Sequence, residues 1–261
     1  HYSDATYFRQ TGIDKLPKIQ LKIPASNPMS KLFLRELTKE PATNQLLFSF
    51  IEQSQTKSLI FDAGGHVGDT SLWLAQFAKV LNRPIKIITA DPNKEKINFI
   101  KEVARLNELD NLIVVHTAVG DERSNGQEIT SRKKQSSFFY KKIASPMYKV
   151  KPDANGPITI RTIDEIIESS DISQYPLRVL HLDVEGYEYL ALQGAKNQIK
   201  ENKPMAIIEL SKETEKWITT AMSKGGYQSS AKISYEFNNT IFYSLNNKSH
   251  KSLLKSLDLL P

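Results

Sequence analysis

Short apolar runs alternate with longer amphipathic segments along most of this chain. The apolar runs have the length of β-strands, and between them apolar residues recur at helical spacing. The predicted strands are 59–62, 85–90, 111–117, 177–183 and 204–210. Strands that alternate with helices predict a mostly parallel sheet with helices on both faces. Two later extended stretches, 227–237 and 240–245, flank Asn238-Asn239 and indicate an antiparallel hairpin at the end of the sheet.

A glycine-rich turn follows the first predicted strand, within Ser58–Ser71 (SLIFDAGGHVGDTS). Asp62 ends the strand, and Gly64, Gly65 and Gly68 precede a helical apolar pattern. Such a turn presents backbone N–H groups to a nucleotide-like ligand, and glycines let that ligand approach the backbone. The G-G-x-x-G spacing matches a dinucleotide site poorly. An acid before the glycines suits a ligand with an ammonium or sulfonium group, such as S-adenosylmethionine, and an ordinary strand-to-helix turn is the alternative.

A second acid ends the second predicted strand. Asp91 opens the sequence Asp91-Pro92-Asn93 and follows Gly68 by about 20 residues. In α/β nucleotide sites, a carboxylate at this position accepts hydrogen bonds from both ribose hydroxyls. The alternative is an acid that is merely solvated in a loop.

Composition is consistent with a globular α/β protein of 261 residues, with 39% hydrophobic and 25% charged residues. The absence of cysteine excludes disulfides, thiolate metal sites and a cysteine nucleophile. We expect an N-terminal appendage over residues 1–57 and a main domain over 58–245. Within that domain, residues 122–157 break the strand–helix rhythm and predict a flap, and 246–261 form a C-terminal tail.

Charge discriminates weakly between partners. A net charge of +6 suits nucleic acid or an anionic glycan, but many soluble enzymes are equally basic. The segment SRKKQSSFFYKK (131–142) mixes basic and aromatic residues. We interpret it as a lid that covers an acceptor substrate rather than as a nucleic-acid site. No apolar run approaches the ~20 residues that cross a bilayer, so a cytoplasmic protein is expected. The chain begins at His1, which leaves open a removed targeting segment or anchor.

Seven short motifs occur along the chain in a characteristic order. They are D-A-G-G-H-V-G at 62–68, A-D-P-N at 90–93, A-V-G-D at 118–121, T-I-D-E at 162–165, L-D-V-E-G-Y-E at 182–188, L-Q-G-A at 192–195 and I-I-E at 207–209. This series resembles the FkbM family of S-adenosylmethionine-dependent methyltransferases over roughly residues 58–245. The resemblance implies a class I, Rossmann-like fold with a seven-stranded sheet whose last strand is antiparallel. It also implies methyl transfer to a hydroxyl of a glycan or natural product.

The same resemblance implies roles for individual residues. The methionine part of the cofactor would be cradled by Asp62, Gly64, Gly65, His66 and Gly68. Asp91 would hold the ribose, Pro92 and Asn93 would shape the adenine pocket, and Ala118 and Val119 would flank the adenine. Asp183 and Glu185 would lie where cofactor and acceptor meet. The sequence departs from the family pattern at His66, where asparagine is commoner, and at His181, where lysine is commoner, and both departures bear on acceptor preference.

An acceptor hydroxyl is a poor nucleophile that gains from a general base or from a metal. Glu185 and Asp183 are the first candidates for the base. His181 and Asp183 share a strand face, so a histidine–carboxylate pair is one hypothesis, and a buried histidine bonded to a backbone carbonyl is another. Asp183 and Glu209 end adjacent strands in this fold, so one hypothesis is that they bind a divalent cation between them. The alternative is that both acids have purely structural roles.

The sequence therefore predicts an O-methyltransferase that converts S-adenosylmethionine to S-adenosylhomocysteine and acts on a hydroxyl of a saccharide or glycoconjugate. A ribose 2′-hydroxyl methyltransferase is one alternative, and it would bind RNA in a salt-sensitive manner. A non-catalytic cofactor-binding module is another. A nicotinamide dehydrogenase is disfavoured by the loop spacing and the final hairpin.

Overall fold

The computed structural model describes residues 2–7, 19–36, 41–131, 147–232 and 239–260. The strands in these ranges are β1 Tyr2–Tyr7, β2 Ile19–Pro24, β3 Ser58–Ala63, β4 Ile85–Asp91, β5 Leu112–His116, β6 Ala118–Val119, β7 Ser124–Ser131, β8 Met147–Pro152, β9 Ile158–Arg161, β10 Leu177–Leu182, β11 Met205–Glu209, β12 Tyr227–Lys232 and β13 Asn239–Ser244. The helices are α1 Pro28–Glu36, α2 Pro41–Gln53, α3 Ser71–Val80, α4 Lys94–Leu106, α5 Ile163–Glu168, α6 Glu188–Gln193, α7 Lys196–Asn202, α8 Glu215–Lys224 and α9 Lys248–Ser256.

Seven of the described strands form the central sheet, in the order β12-β13-β11-β10-β3-β4-β5. The strands β3, β4, β5, β10 and β11 are parallel, whereas β13 is antiparallel to both β11 and β12. Every residue of β3 is buried, as expected for a central strand that is covered on both faces. The predicted fold is confirmed: a Rossmann-like α/β sheet of seven mostly parallel strands, with a C-terminal antiparallel hairpin and helices on both faces.

Each face of the central sheet has its own apolar core, because side chains alternate along a strand. Ile60 of β3 lies in the core that includes side chains of β2 and of the helices α1 to α4 and α9. Its neighbour Phe61 lies in the core that includes side chains of α5, α6 and α8. The described residues between 19 and 53 therefore help to cover one face of the sheet.

The strand β2 is held to this face by an asparagine side chain. Asn107 caps the end of α4, and its side-chain Oδ1 accepts a hydrogen bond from the backbone N–H of Lys22 at 2.8 Å. Its Nδ2 donates to the carbonyl oxygen of Lys22, also at 2.8 Å. The side-chain amide thus satisfies both backbone groups of one strand residue.

The apolar residues within 186–200 predict one continuous helix, whereas the structure has two, α6 and α7, separated at Gly194. The carboxylate of Asp164 accepts hydrogen bonds from the backbone N–H groups of Asn197 and Gln198, at 3.0 and 3.1 Å, and so satisfies donors at the start of α7. A Cβ at Gly194 would lie 2.0 Å from the carbonyl oxygen of Gly120. Three of the family-like motifs, at 118–121, 162–165 and 192–195, therefore meet in one structural junction.

A second sheet of four strands, in the order β6-β9-β7-β8, lies between β5 and α5 along the chain. The strands β7 and β8 pair antiparallel. Residues 132–146, which include most of the basic and aromatic segment, lie outside the described residues, so their function stays a prediction. In the described part of the chain, none of the helices combines the length and the hydrophobicity that crossing a membrane requires.

Candidate functional site

Three parallel strands end at the same edge of the sheet, and backbone hydrogen bonds join these ends. The N–H groups of Gly64 and Gly65, directly after β3, both donate to the carbonyl oxygen of Ala90 in β4, at 2.9 and 3.1 Å. The N–H of Asp183, directly after β10, donates to the carbonyl oxygen of Ala63 at 3.0 Å. The loop after β3 therefore lies between the ends of β10 and β4, which carry the predicted site residues Asp183 and Asp91.

The glycines of this loop are required by close packing of the protein against itself. Gly64 has a φ of +88°, and a Cβ there would lie 1.7 Å from the carbonyl oxygen of Asp183. A Cβ at Gly65 would lie 2.0 Å from Oγ1 of Thr89. Gly68 has a φ of +78°, a conformation that L side chains rarely adopt. The sequence analysis attributed these glycines to the close approach of a ligand. The structure adds a second reason for Gly64 and Gly65, which is close packing against Asp183 and Thr89.

The acid at the end of β4 is hydrogen-bonded to the glycine loop. One carboxylate oxygen of Asp91 accepts the backbone N–H of His66 at 3.0 Å, and the other accepts that of Asn93 at 2.7 Å. Burial raises the pKa of Asp91, and the positive charge of Lys96 is the largest opposing influence. The glycine loop and Asp91 thus form a single hydrogen-bonded unit. The sequence analysis had assigned the loop to the methionine part of the cofactor and Asp91 to its ribose.

Two further predicted residues form a buried pair inside the sheet. Nδ1 of His181 lies 2.8 Å from Oδ1 of Asp62, and the two side chains are 6% and 3% exposed. Thr89 Oγ1 lies 3.5 Å from the other carboxylate oxygen of Asp62. Sequence reasoning considered Asp183 or a backbone carbonyl as the partner of this histidine. Asp62 is the partner of Nδ1 because it lies opposite His181 in the register of β3 and β10. Such neighbours on adjacent strands are closer than two residues that are two positions apart in one strand, as His181 and Asp183 are.

The loop between β10 and α6 carries the two acids predicted to act at the acceptor. Asp183 and Glu185 are both partly exposed. Glu185 has a φ of +57°, and Gly186 one of +99°, so two consecutive residues are left-handed. A non-glycine residue in this conformation costs roughly 1–2 kcal/mol, which implies that other contacts hold the loop.

Glu188, at the start of α6, supplies those contacts, and the sequence analysis assigned it no role. Its Oε1 accepts hydrogen bonds from the backbone N–H groups of Val184 and Gly186, at 3.1 and 2.9 Å. The residue is 1% exposed, and burial raises the pKa of its carboxyl group against the effect of these bonds. Its position gave a signal, since an acid in the first turn of a helix is favourably placed to accept backbone N–H groups near the helix start.

The residues predicted to flank the adenine follow β5. Ala118 and Val119 form β6, in which Ala118 is half-buried and Val119 is buried. His116, which the sequence analysis left without a role, ends β5 and donates a hydrogen bond from Nε2 to the carbonyl oxygen of Pro92 at 2.9 Å. The backbone N–H of Thr117 donates to the carbonyl oxygen of Asp91 at 3.2 Å. The structure therefore places the A-D-P-N segment directly against the end of β5.

Within the described ranges, no three or more His, Asp or Glu residues are grouped so that they could hold a metal ion. The hypothesis of a cation between Asp183 and Glu209 gains no support from this part of the chain.

A mostly parallel seven-stranded sheet with this order agrees with the Rossmann-like class of methyltransferases that the sequence motifs resemble. The sequence narrows the class, because a family model of the methyltransferase FkbM domain matches residues 62–230. This match spans more than half of the chain, and the chain belongs to the FkbM family. The matched domain is described as a methyltransferase domain. No curated protein sequence matches the chain.

Several solved structures of methyltransferases are similar to this chain. Methyltransferase FkbM from Methylobacillus flagellatus KT is 16% identical, with 82% of this chain and 60% of that chain covered and a TM-score of 0.46. An rRNA methylase from Streptococcus thermophilus is 10% identical, with 78% and 95% covered and a TM-score of 0.42. A SAM-dependent methyltransferase from Aquifex aeolicus is 10% identical, with 82% and 95% covered and a TM-score of 0.41. The chain thus spans 60% of the length of the first of these proteins.

Proposed function

We propose that this protein is an O-methyltransferase that acts on a hydroxyl group of a saccharide or glycoconjugate. The observation that carries the proposal is the set of partly exposed carboxylates at the ends of β10 and β11, namely Asp183, Glu185 and Glu209. Carboxylates accept hydrogen bonds from hydroxyl groups, whereas they repel the phosphates of a nucleic acid. This edge of the sheet therefore suits a hydroxyl-rich acceptor better than an RNA backbone.

The cofactor would lie along the loop after β3 and against Asp91. Both carboxylate oxygens of Asp91 already accept one backbone N–H, and each oxygen keeps further acceptor capacity for a ribose hydroxyl. Because the same carboxylate holds the N–H of His66, the ribose site and the glycine loop are fixed relative to each other. In this proposal, Gly64, Gly65 and Gly68 shape the loop around the methionine part of the cofactor.

When bound, the cofactor supplies an electrophilic methyl group on a positively charged sulfur. The protein's own task is to orient the acceptor hydroxyl and to accept its proton. Glu185 and Asp183 are placed for this task, since both are partly exposed in the loop that packs against Gly64. Glu188 holds that loop from the buried side.

Methyl transfer from labelled S-adenosylmethionine to a panel of glycans, with an RNA oligonucleotide alongside, tests this proposal. We expect label on one or more glycans. Glu185→Gln should lower kcat by about 10²–10⁴-fold and leave the affinity for S-adenosylhomocysteine unchanged, because a general base contributes to that extent. Glu201→Gln, which makes the same change at an exposed position of α7, is the matched control.

Two outcomes would contradict the proposal. Label on the RNA and on no glycan would favour a nucleic-acid methyltransferase. Tight binding of S-adenosylhomocysteine with no transfer to any acceptor would favour a non-catalytic cofactor-binding module.

A further inference from the structure

Two aromatic side chains lie together beside the acidic loop. Tyr189 is the second residue of α6 and Trp217 the third residue of α8, and their ring centroids are 6.0 Å apart with the ring planes inclined by 53°. Tyr189 is partly buried, whereas Trp217 is 59% exposed. This is the largest exposed fraction among the large hydrophobic side chains of the described residues.

The topology places this pair at the edge of the sheet where the candidate site lies. The strands β10 and β11 are adjacent and parallel, and α6 and α8 begin a few residues after their carboxyl ends. Both aromatic residues belong to the first turn of their helix, so both lie near the edge at which Asp183 and Asp91 are found.

The pair also lies on one particular side of that edge. In the order β11-β10-β3-β4, the strands that lead into the two aromatic residues are on one side of β3, and Asp91 ends the strand on the other side. The ribose acid and the aromatic pair are therefore separated by the glycine loop. An aromatic surface in this position is available to an acceptor rather than to the ribose.

The electrostatic surroundings favour an acceptor without phosphate groups. The chain that leads from β11 into α8 carries Glu209, Glu213 and Glu215, and the neighbouring loop carries Asp183 and Glu185. The two lysines of the first segment, at 212 and 216, do not outnumber these acids. A polyanion would meet net negative charge here, whereas sugar hydroxyl groups would meet hydrogen-bond acceptors.

The ring geometry points to the same class of ligand. An aromatic face packs well against an apolar surface, and the C–H face of a sugar ring is one such surface. Two rings inclined by 53° cannot both stack on a single flat nucleobase, but they can contact a puckered sugar ring from two directions. We infer that Tyr189 and Trp217 form an acceptor subsite that binds a neutral sugar ring of the saccharide substrate, an inference that rests on the proposed function.

The inference is tested on a glycan that the wild-type protein methylates. Trp217→Ala should raise KM for that glycan by about 5- to 50-fold, because stacking on one aromatic ring typically contributes this much. The value of kcat and the affinity for S-adenosylhomocysteine should change little, and Trp217→Phe should restore most of the loss. Leu34→Ala, at an exposed hydrophobic residue of α1, is the matched control.

Fluorescence provides a direct binding measurement, because the chain has two tryptophans and the other, Trp73, is 1% exposed. Acrylamide quenching will therefore report mainly on Trp217, and the glycan should protect this residue from quenching. Protection by the RNA oligonucleotide and not by the glycan would overturn the inference in favour of nucleic acid.

The outcomes separate this inference from the function on which it rests. If wild type and Trp217→Ala methylate the glycan with the same KM, the subsite is disproved and the proposed function stands. If no glycan accepts a methyl group, the proposed function fails and the subsite fails with it.

Discussion

Replacing Asp91 by asparagine will impair this site more than the similar size of the two side chains suggests. In the structure, each carboxylate oxygen of Asp91 accepts one backbone N–H, from His66 at 3.0 Å and from Asn93 at 2.7 Å. Asparagine offers one acceptor oxygen and one NH₂ group. Whichever way the amide is turned, its NH₂ group faces a backbone N–H, so one hydrogen bond is lost and one buried donor is left unsatisfied.

The magnitude follows from these contacts. An unsatisfied buried donor costs about 1–3 kcal/mol, so the free energy of unfolding should fall by an amount in this range. In the proposed complex the ribose hydroxyls also lose a charged acceptor, and each such hydrogen bond is worth about 1.5–3 kcal/mol. Because two ribose hydroxyls share this charged acceptor, its loss predicts that the affinity for S-adenosylhomocysteine falls by about 10²–10³-fold.

Calorimetric titration with S-adenosylhomocysteine and thermal unfolding on the same samples measure both effects. Asp110→Asn is the matched control, because it removes the same charge from an exposed residue before β5, at the opposite edge of the sheet. A variant Asp91→Asn that binds as tightly as wild type and unfolds at the same temperature would refute the reasoning.

Three further predictions concern stability, the acidic loop and pH. Gly64→Ala should destabilise the fold by about 2–4 kcal/mol more than Gly226→Ala in thermal unfolding. Both glycines have a positive φ, but a Cβ at Gly64 would meet backbone atoms, whereas nothing lies within 4 Å of a Cβ at Gly226. Glu188→Ala should lower kcat in the methyl-transfer assay. Glu188→Gln should retain more activity, because its amide oxygen can still accept hydrogen bonds from the two loop N–H groups. Equal rates for the two variants would contradict this positioning role. Burial lowers the pKa of His250 from 6.5 to about 4. The unfolded chain therefore binds an extra proton between these values, and the free energy of unfolding should fall by up to ~3 kcal/mol as the pH drops through this window. Denaturant titrations should show a flatter profile for His250→Gln, and an unchanged profile would contradict the assignment.

The elements of the sheet could be predicted from the sequence because their signals are local. Apolar runs marked the parallel strands, and the residues at their ends, such as Asp62 and Asp91, followed directly. The N-cap of α5 is also a local feature, since Thr162 Oγ1 accepts the backbone N–H of Glu165 at 3.0 Å. Such signals are contained within a few residues, so no knowledge of the tertiary structure is needed to read them.

The contacts that complete the site depend on distant parts of the chain. The pair of Asp62 and His181 joins residues 119 positions apart, and the register between β3 and β10 decides it. The break between α6 and α7 depends on Asp164, which lies 33 positions before the N–H that it caps. Local periodicity contains no information about either contact, so the pattern alone predicted a continuous helix and left the partner of the histidine open.

Four of the acids near these strand ends divide into two groups, one buried and one partly exposed. Asp62 and Glu188 are buried, and protein hydrogen bonds engage an oxygen of each. Removing either would leave donors of the neighbouring strand or loop unsatisfied, so its primary effect is on the shape of the site. Asp183 and Glu185 are partly exposed and lie in the loop that Glu188 holds. In the proposed reaction a general base must reach the proton that it accepts, so Asp183, Glu185 and the partly exposed Glu209 are the acids to test as the base.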